Sequence, residues 1–231
     1  MARARRVTPA EAQAGRRAPA LPKGARRTTP SPETLAALGP DRLIALILGE
    51  TGRNPAFKKL VSAALASLQG PEAVAAIVDR RLTALEGAQG YIDWQKRRSF
   101  AADLNTTVTV ILNELRPLDP AAALDRLRRF LDGADAVLNR VDDSTGAVQA
   151  VFDRASAAFV EIAGSLPPED AAGVAARLVE PFAADPFGPL GTVLGDMIPR
   201  LPKPALAEID DRLAAAAAAL PPGGDPRREA T

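Results

Sequence analysis

The side chains that most often carry out chemistry are missing from this sequence. It has no cysteine and no histidine. That removes thiolate nucleophiles and sulfur-ligated zinc, along with the commonest general base and nitrogen ligand. A metal would depend on carboxylates and carbonyls, a donor set suited to Mg²⁺ or Ca²⁺. Asp142-Asp143-Ser144 is the most suggestive acidic group, but it lacks the alternating ligands and closing Glu of an EF-hand loop. Helix capping accounts for it better. Glu169-Asp170 and Asp210-Asp211 read as ordinary acidic helix residues, and Gly223-Gly224 sits in a tail. There is no Ser–His–Asp set and no phosphate-binding glycine loop. The expectation is no catalytic residue, no metal site and no cofactor. A carboxylate-based metal enzyme is the least favoured function class.

Binding residues are easier to nominate. The single Tyr and single Trp lie together in Tyr91-Ile92-Asp93-Trp94, ahead of the basic run Lys96-Arg97-Arg98. Two aromatic faces beside a carboxylate could form a ligand platform, and the cations could meet phosphates. The plainer assignment, which the residue types favour, is a helix start. Asp93 would then favour the positive helix end while Trp94 anchors the core.

The element that must position these residues runs from Tyr91 to Leu115, the longest stretch without Pro or Gly. Trp94, Ala101, Leu104, Val108, Ile111 and Leu115 recur at helical spacing and predict one apolar face. Thr106–Ile111 is a run of β-branched residues that suits a strand. No other segment alternates with period two, so a strand would lack a partner and a helix is expected.

Shorter helices flank it. Ser31-Pro32-Glu33 opens one to Leu38, Asp41–Leu48 is apolar enough to be buried, and Asn54 caps one to Leu68. Gly70-Pro71-Glu72 opens a helix to Leu85, and Asp119-Pro120 one to Arg140. Asp142-Asp143-Ser144 caps the next, to Gly164, and Pro167-Pro168-Glu169 starts another, to Pro181. A short helix over Leu190–Ile198 and a last one from Pro204 to Leu220 complete the set.

First-turn prolines at Pro71, Pro120, Pro168 and Pro204 recur at intervals close to those of HEAT or armadillo hairpins. The expected fold is all-α, an irregular HEAT- or TPR-like solenoid of helical hairpins stacked in a right-handed sense over residues 31–220. The two helices around the Arg116–Leu118 turn are of equal length, about 31 Å at 1.5 Å per residue. The chain should therefore return at Arg140–Ser144 beside Tyr91–Arg97. That gathers Tyr91, Asp93, Trp94, Arg97, Arg140, Asp142, Asp143 and Ser144 at one edge, either as a clasp between hairpins or as a binding edge.

Charge is uneven. Residues 1–30 carry +7 and the remainder −6. The basic segment has too few large apolar residues to offset the entropy of ordering, and it reads as a disordered tail, as does 221–231. No apolar run is long enough to span a bilayer, so no membrane partner is expected and a cytoplasmic location is the default.

Several motifs resemble one family. They are Thr34-Leu-Ala-Ala-Leu-Gly39, Tyr91-Ile-Asp-Trp94, Arg140-Val-Asp-Asp-Ser-Thr-Gly146 ahead of Val151-Phe152, and Asp185-Pro-Phe-Gly188. The family comprises uncharacterised, mostly bacterial, all-helical proteins, a domain of unknown function with some relatives associated with SWIM-type zinc fingers. The resemblance covers about residues 31–220 and implies a helical-repeat fold without implying an activity. The SWIM element itself needs Cys and His, which this chain lacks. The leading functional expectation is a non-enzymatic helical-repeat module that binds an unknown protein partner. The alternative is a nucleic-acid-associated protein that holds phosphates through its basic N-terminal tail.

Overall fold

The computed structural model describes residues 28–184 and 188–219. Most of the basic tail, the Asp185-Pro-Phe part of one motif, and the C-terminal tail lie outside the described residues. The chain divides into two compact units, one ending at Lys58 and the other beginning at Lys59.

In the first unit, helix α1 (Pro32–Ala36) starts with a reciprocal cap. Thr34 N donates to Ser31 Oγ at 3.2 Å, and Ser31 N donates to Thr34 Oγ1 at 2.8 Å. Gly39, at φ +77°, turns the chain into Pro40 at the start of α2 (Pro40–Thr51). Asn54 caps the next helix, α3 (Pro55–Ser67), as its position predicts, with Phe57 N donating to Asn54 Oδ1 at 3.1 Å; the division falls inside α3, whose residues from Lys59 onward belong to the second unit. The expected burial of α2 does not occur: Ile44, Leu46, Ile47 and Leu48 are all exposed. A helix that is apolar on every side needs neighbours all round. No residue of α2 is buried.

The second unit holds the core. It continues through α4 (Pro71–Glu86), α5 (Trp94–Val110), α6 (Pro120–Asp132), α7 (Ala134–Leu138) and α8 (Gln149–Gly164). The remaining helices are α9 (Pro168–Ala176), α10 (Val179–Ala184), α11 (Pro189–Met197) and α12 (Lys203–Ala219). Among the described residues there is no strand beyond a single isolated bridge. The fold is all-α.

The β-branched run is helical, and the physical reason is local and tertiary at once. Thr106 Oγ1 donates to Ala102 O at 2.8 Å and Thr107 Oγ1 to Asp103 O at 3.2 Å, so both hydroxyls bond back one turn. Val108, Val110 and Ile111 are buried, which outweighs a weak helix propensity. The helix then widens into a π turn over Ile111–Leu115, closed by Arg116 N donating to Ile111 O at 2.8 Å. Pro117 ends it.

Each apolar stripe meets its neighbours. Val74, Val78, Leu82 and Leu85 of α4 join Leu104, Val108, Ile111 and Leu115 of the long helix. Leu124, Leu127 and Leu131 of α6 lie in the same core, with Phe130 stacked on Phe152 of α8 at 4.8 Å between ring centres. A fully buried Leu, Ile or Phe contributes roughly 1.5–3 kcal/mol, so this set holds the unit together. The long helix expected from Pro120 to Arg140 is interrupted at Gly133, where a fresh short helix begins.

Hydrogen bonds joining the α4–α5 hairpin to the α6–α8 hairpin link residues 43 to 50 positions apart. Arg126 and Arg129 of α6 reach Asp79 of α4, and Arg129 also pairs with Glu86 through two bonds of 2.6 and 2.7 Å. Arg154 of α8 reaches Asn105 of α5 at 2.6 Å, and Arg116 meets Glu161 at 2.8 Å. First helix therefore lies beside first helix, and second beside second. After these two hairpins the register changes: α9 packs on α8 and α12, while α11 lies against α6 and α8.

Candidate functional site

The turn between α4 and α5 and the turn between α7 and α8 come together at one edge, as the equal helix lengths require. Their backbones join directly. Ile92 N donates to Arg140 O at 2.8 Å, and Asp142 N donates to Ile92 O at 3.0 Å, a one-residue parallel bridge. Val141 is buried beneath it and Ile92 half-buried, so the bridge is anchored from below.

Six of the eight nominated side chains build this joint. Asp93 caps α5, accepting Gln95 N and Lys96 N at 3.0 Å each. Arg97, with only 15% of its side chain exposed, donates to Asp142 O at 3.0 Å and to Ser144 Oγ at 2.7 Å. Its guanidinium also lies 3.7 Å from Asp142 Oδ1. Asp142 Oδ1 accepts Ser144 N at 3.3 Å. Asp143 accepts Val148 N at 3.0 Å and Gln149 N at 2.8 Å, capping α8 across the turn that Gly146 makes at φ +68°.

Arg140 donates to Gly90 O at 3.1 Å and lies over the Phe100 ring, 5.4 Å from its centre. Burial, and secondarily the charge of Arg81, holds its guanidinium below the ordinary arginine value. An arginine side chain is a permanent cation in proteins, so its role is that of a fixed positive charge.

The two aromatics do not take part. Tyr91 is 69% exposed and Trp94 64% exposed, which corrects the expectation that Trp94 anchors the core. Trp94 is the first residue of α5, and burial on that face begins only at Ala101, two turns later. Lys96 and Arg98 are exposed beside them. The clasp thus consumes the polar residues and leaves the two aromatic rings facing solvent beside exposed Arg98 and exposed Lys96, whose ammonium lies 3.9 Å from Asp93 Oδ2.

Residues 25–231 match the family described as "Family of unknown function (DUF6880)". The chain belongs to that family. No curated protein and no solved structure matches it. The span matched by DUF6880 takes in the second unit, the first unit from residue 25 onward and the whole clasp edge, and the family description attaches no reaction to them.

Among the described residues of this DUF6880 chain, no three acidic side chains converge in a way that could hold a metal ion. No described helix is long and apolar enough to cross a membrane.

One charged group escaped sequence reasoning. Asp103 on α5 receives both Lys59 of α3 and Arg81 of α4. Nothing in the local pattern marks Asp103, because its partners lie 44 and 22 positions away. The Asp79–Arg126 pair, by contrast, is separated by 47 positions, one hairpin interval, and the proline spacing could have located it.

Proposed function

We propose that this chain is a protein-interaction module built on stacked helical hairpins, and that Tyr91 and Trp94 are its recognition residues. The observation that carries the reading is the exposure of both rings on a joint whose six other nominated side chains are hydrogen-bonded. Exposed Trp and Tyr on a rigid support lose little entropy on binding and are the residue types most enriched at energetic centres of interfaces. Lys96 and Arg98 beside them favour an apolar partner surface with an acidic rim. The one-interval spacing of the inter-hairpin bonds supports a HEAT- or TPR-like repeat over the α4–α8 segment.

The same edge could serve a nucleic acid, with bases stacking on the rings and cations on phosphates. Site-specific photocrosslinking separates the readings. A benzophenone amino acid placed at Tyr91 should capture a discrete protein adduct in cells, and Trp94→Ala should abolish it. The same probe at Leu118, exposed on the opposite edge, should not capture it. Equal capture at both positions would refute the assignment. Nuclease-sensitive adducts would favour the nucleic-acid alternative.

A further inference from the structure

Between α3, α4 and α5 lies a cavity of about 310 Å³ that plays no part in the clasp. Its walls are Ile77, Val78, Ala84, Val110 and the two threonines, Thr106 and Thr107. Both threonine hydroxyls are spent on backbone carbonyls of their own helix, which leaves the cavity almost wholly apolar. Its rim is cationic: Lys59, Arg80 and Arg81.

The rim charge is undercompensated. Lys59 and Arg81 share the single carboxylate of Asp103, and Arg80 is exposed with no acidic partner among the described residues. Arg81 Nε is buried without an acceptor, so the guanidinium is only partly satisfied. An apolar pocket under a rim of three cations with a single carboxylate among them selects a ligand with an apolar body and one anionic end.

Other ligand classes fit less well. No aromatic ring lines the cavity, so a base has nothing to stack on. No glycine lines it either, so the usual glycine-rich loop whose amides cradle phosphate is missing. The cavity lies at the lower end of the size range of small-ligand sites, about 300–1,000 Å³. We infer that this cavity binds a medium-chain aliphatic monocarboxylate, with the chain among Ile77, Val78 and Val110 and the carboxylate at Arg80 and Arg81.

Isothermal titration of the full chain with octanoate, below its micelle concentration, tests the site. Octanoate should bind saturably at one site, octanol more weakly, and octyltrimethylammonium not at all. Arg80→Ala should weaken octanoate by up to about fivefold, the worth of one exposed charge. Ala84→Trp places a bulky ring at an exposed position of the cavity wall and should abolish binding, with helicity checked by circular dichroism. Amide shifts of Ala84 and Val110 in the unaltered protein locate the ligand independently of any variant. Absence of saturable binding, equal binding of the cation, or shifts confined to other residues would overturn the inference. So would binding of an acidic apolar peptide but not of octanoate.

Discussion

Arg97 and Trp94 stand one helical turn apart and should behave oppositely when truncated, because one is spent on the clasp and the other is not. In Arg97→Ala the clasp loses two charge-assisted hydrogen bonds and a weak ion pair. A hydrogen bond from a charged group is worth about 1.5–3 kcal/mol when its acceptor is shielded, which describes the bond to Asp142 O. The Ser144 hydroxyl is exposed and can turn to water, and a half-exposed ion pair adds at most about 1 kcal/mol. The expected loss is about 2–3 kcal/mol. For a domain of this size that lowers Tm by about 5–10 °C.

Trp94→Ala removes a ring that is 64% exposed, so little packing is lost and the cost should stay below about 1 kcal/mol. Thermal unfolding followed by circular dichroism at 222 nm reads both variants, since Trp94→Ala removes the only tryptophan signal. If Trp94→Ala destabilises as much as Arg97→Ala, the division between a structural clasp and an exposed platform is wrong. A negligible loss in Arg97→Ala would be equally damaging.

Asp143→Ala removes the carboxylate that accepts Val148 N and Gln149 N, and should cost about 1–2 kcal/mol in urea unfolding. Asp143→Asn keeps an acceptor and should recover much of it; equal losses in the two would argue against capping. Glu86 should contribute a pH-dependent increment through its paired bonds to Arg129, which hold its carboxyl below the usual 4.5. Because the folded value is the depressed one, the increment is fully present above about pH 4.5 and is lost as pH falls through the lower folded value. Glu86→Gln should therefore lower stability slightly at neutral pH and flatten the loss on acidification, as measured by urea midpoints from pH 6 to 3. An unchanged acid limb would show that the pair carries no stability.

Much of the frame was legible in the residues because it depends on local rules. Prolines in first turns and Asn54, Asp93 and Asp119 at caps mark helix starts through single-residue geometry. Helical spacing across Thr106–Ile111 outweighed its strand-like composition, since the spacing reports which side chains share a face. The clasp edge followed from a fixed rise per residue and a short turn, which leave a returning chain little freedom about where it arrives.

What only tertiary structure decided is which faces find a neighbour. Trp94 lies on the same stripe as Leu104 and Ile111, yet the packed layer starts at Ala101 and leaves the ring in solvent. Periodicity assigns a direction around the helix axis; it does not say how far along that axis the neighbouring helices reach. The apolar α2 is exposed for the same reason. Asp103 gained two cations from α3 and α4 because those helices converge on it in space. The cavity under Arg80 and Arg81 forms where α3, α4 and α5 fail to close fully. Both depend on distances between helices, which no single segment of sequence encodes.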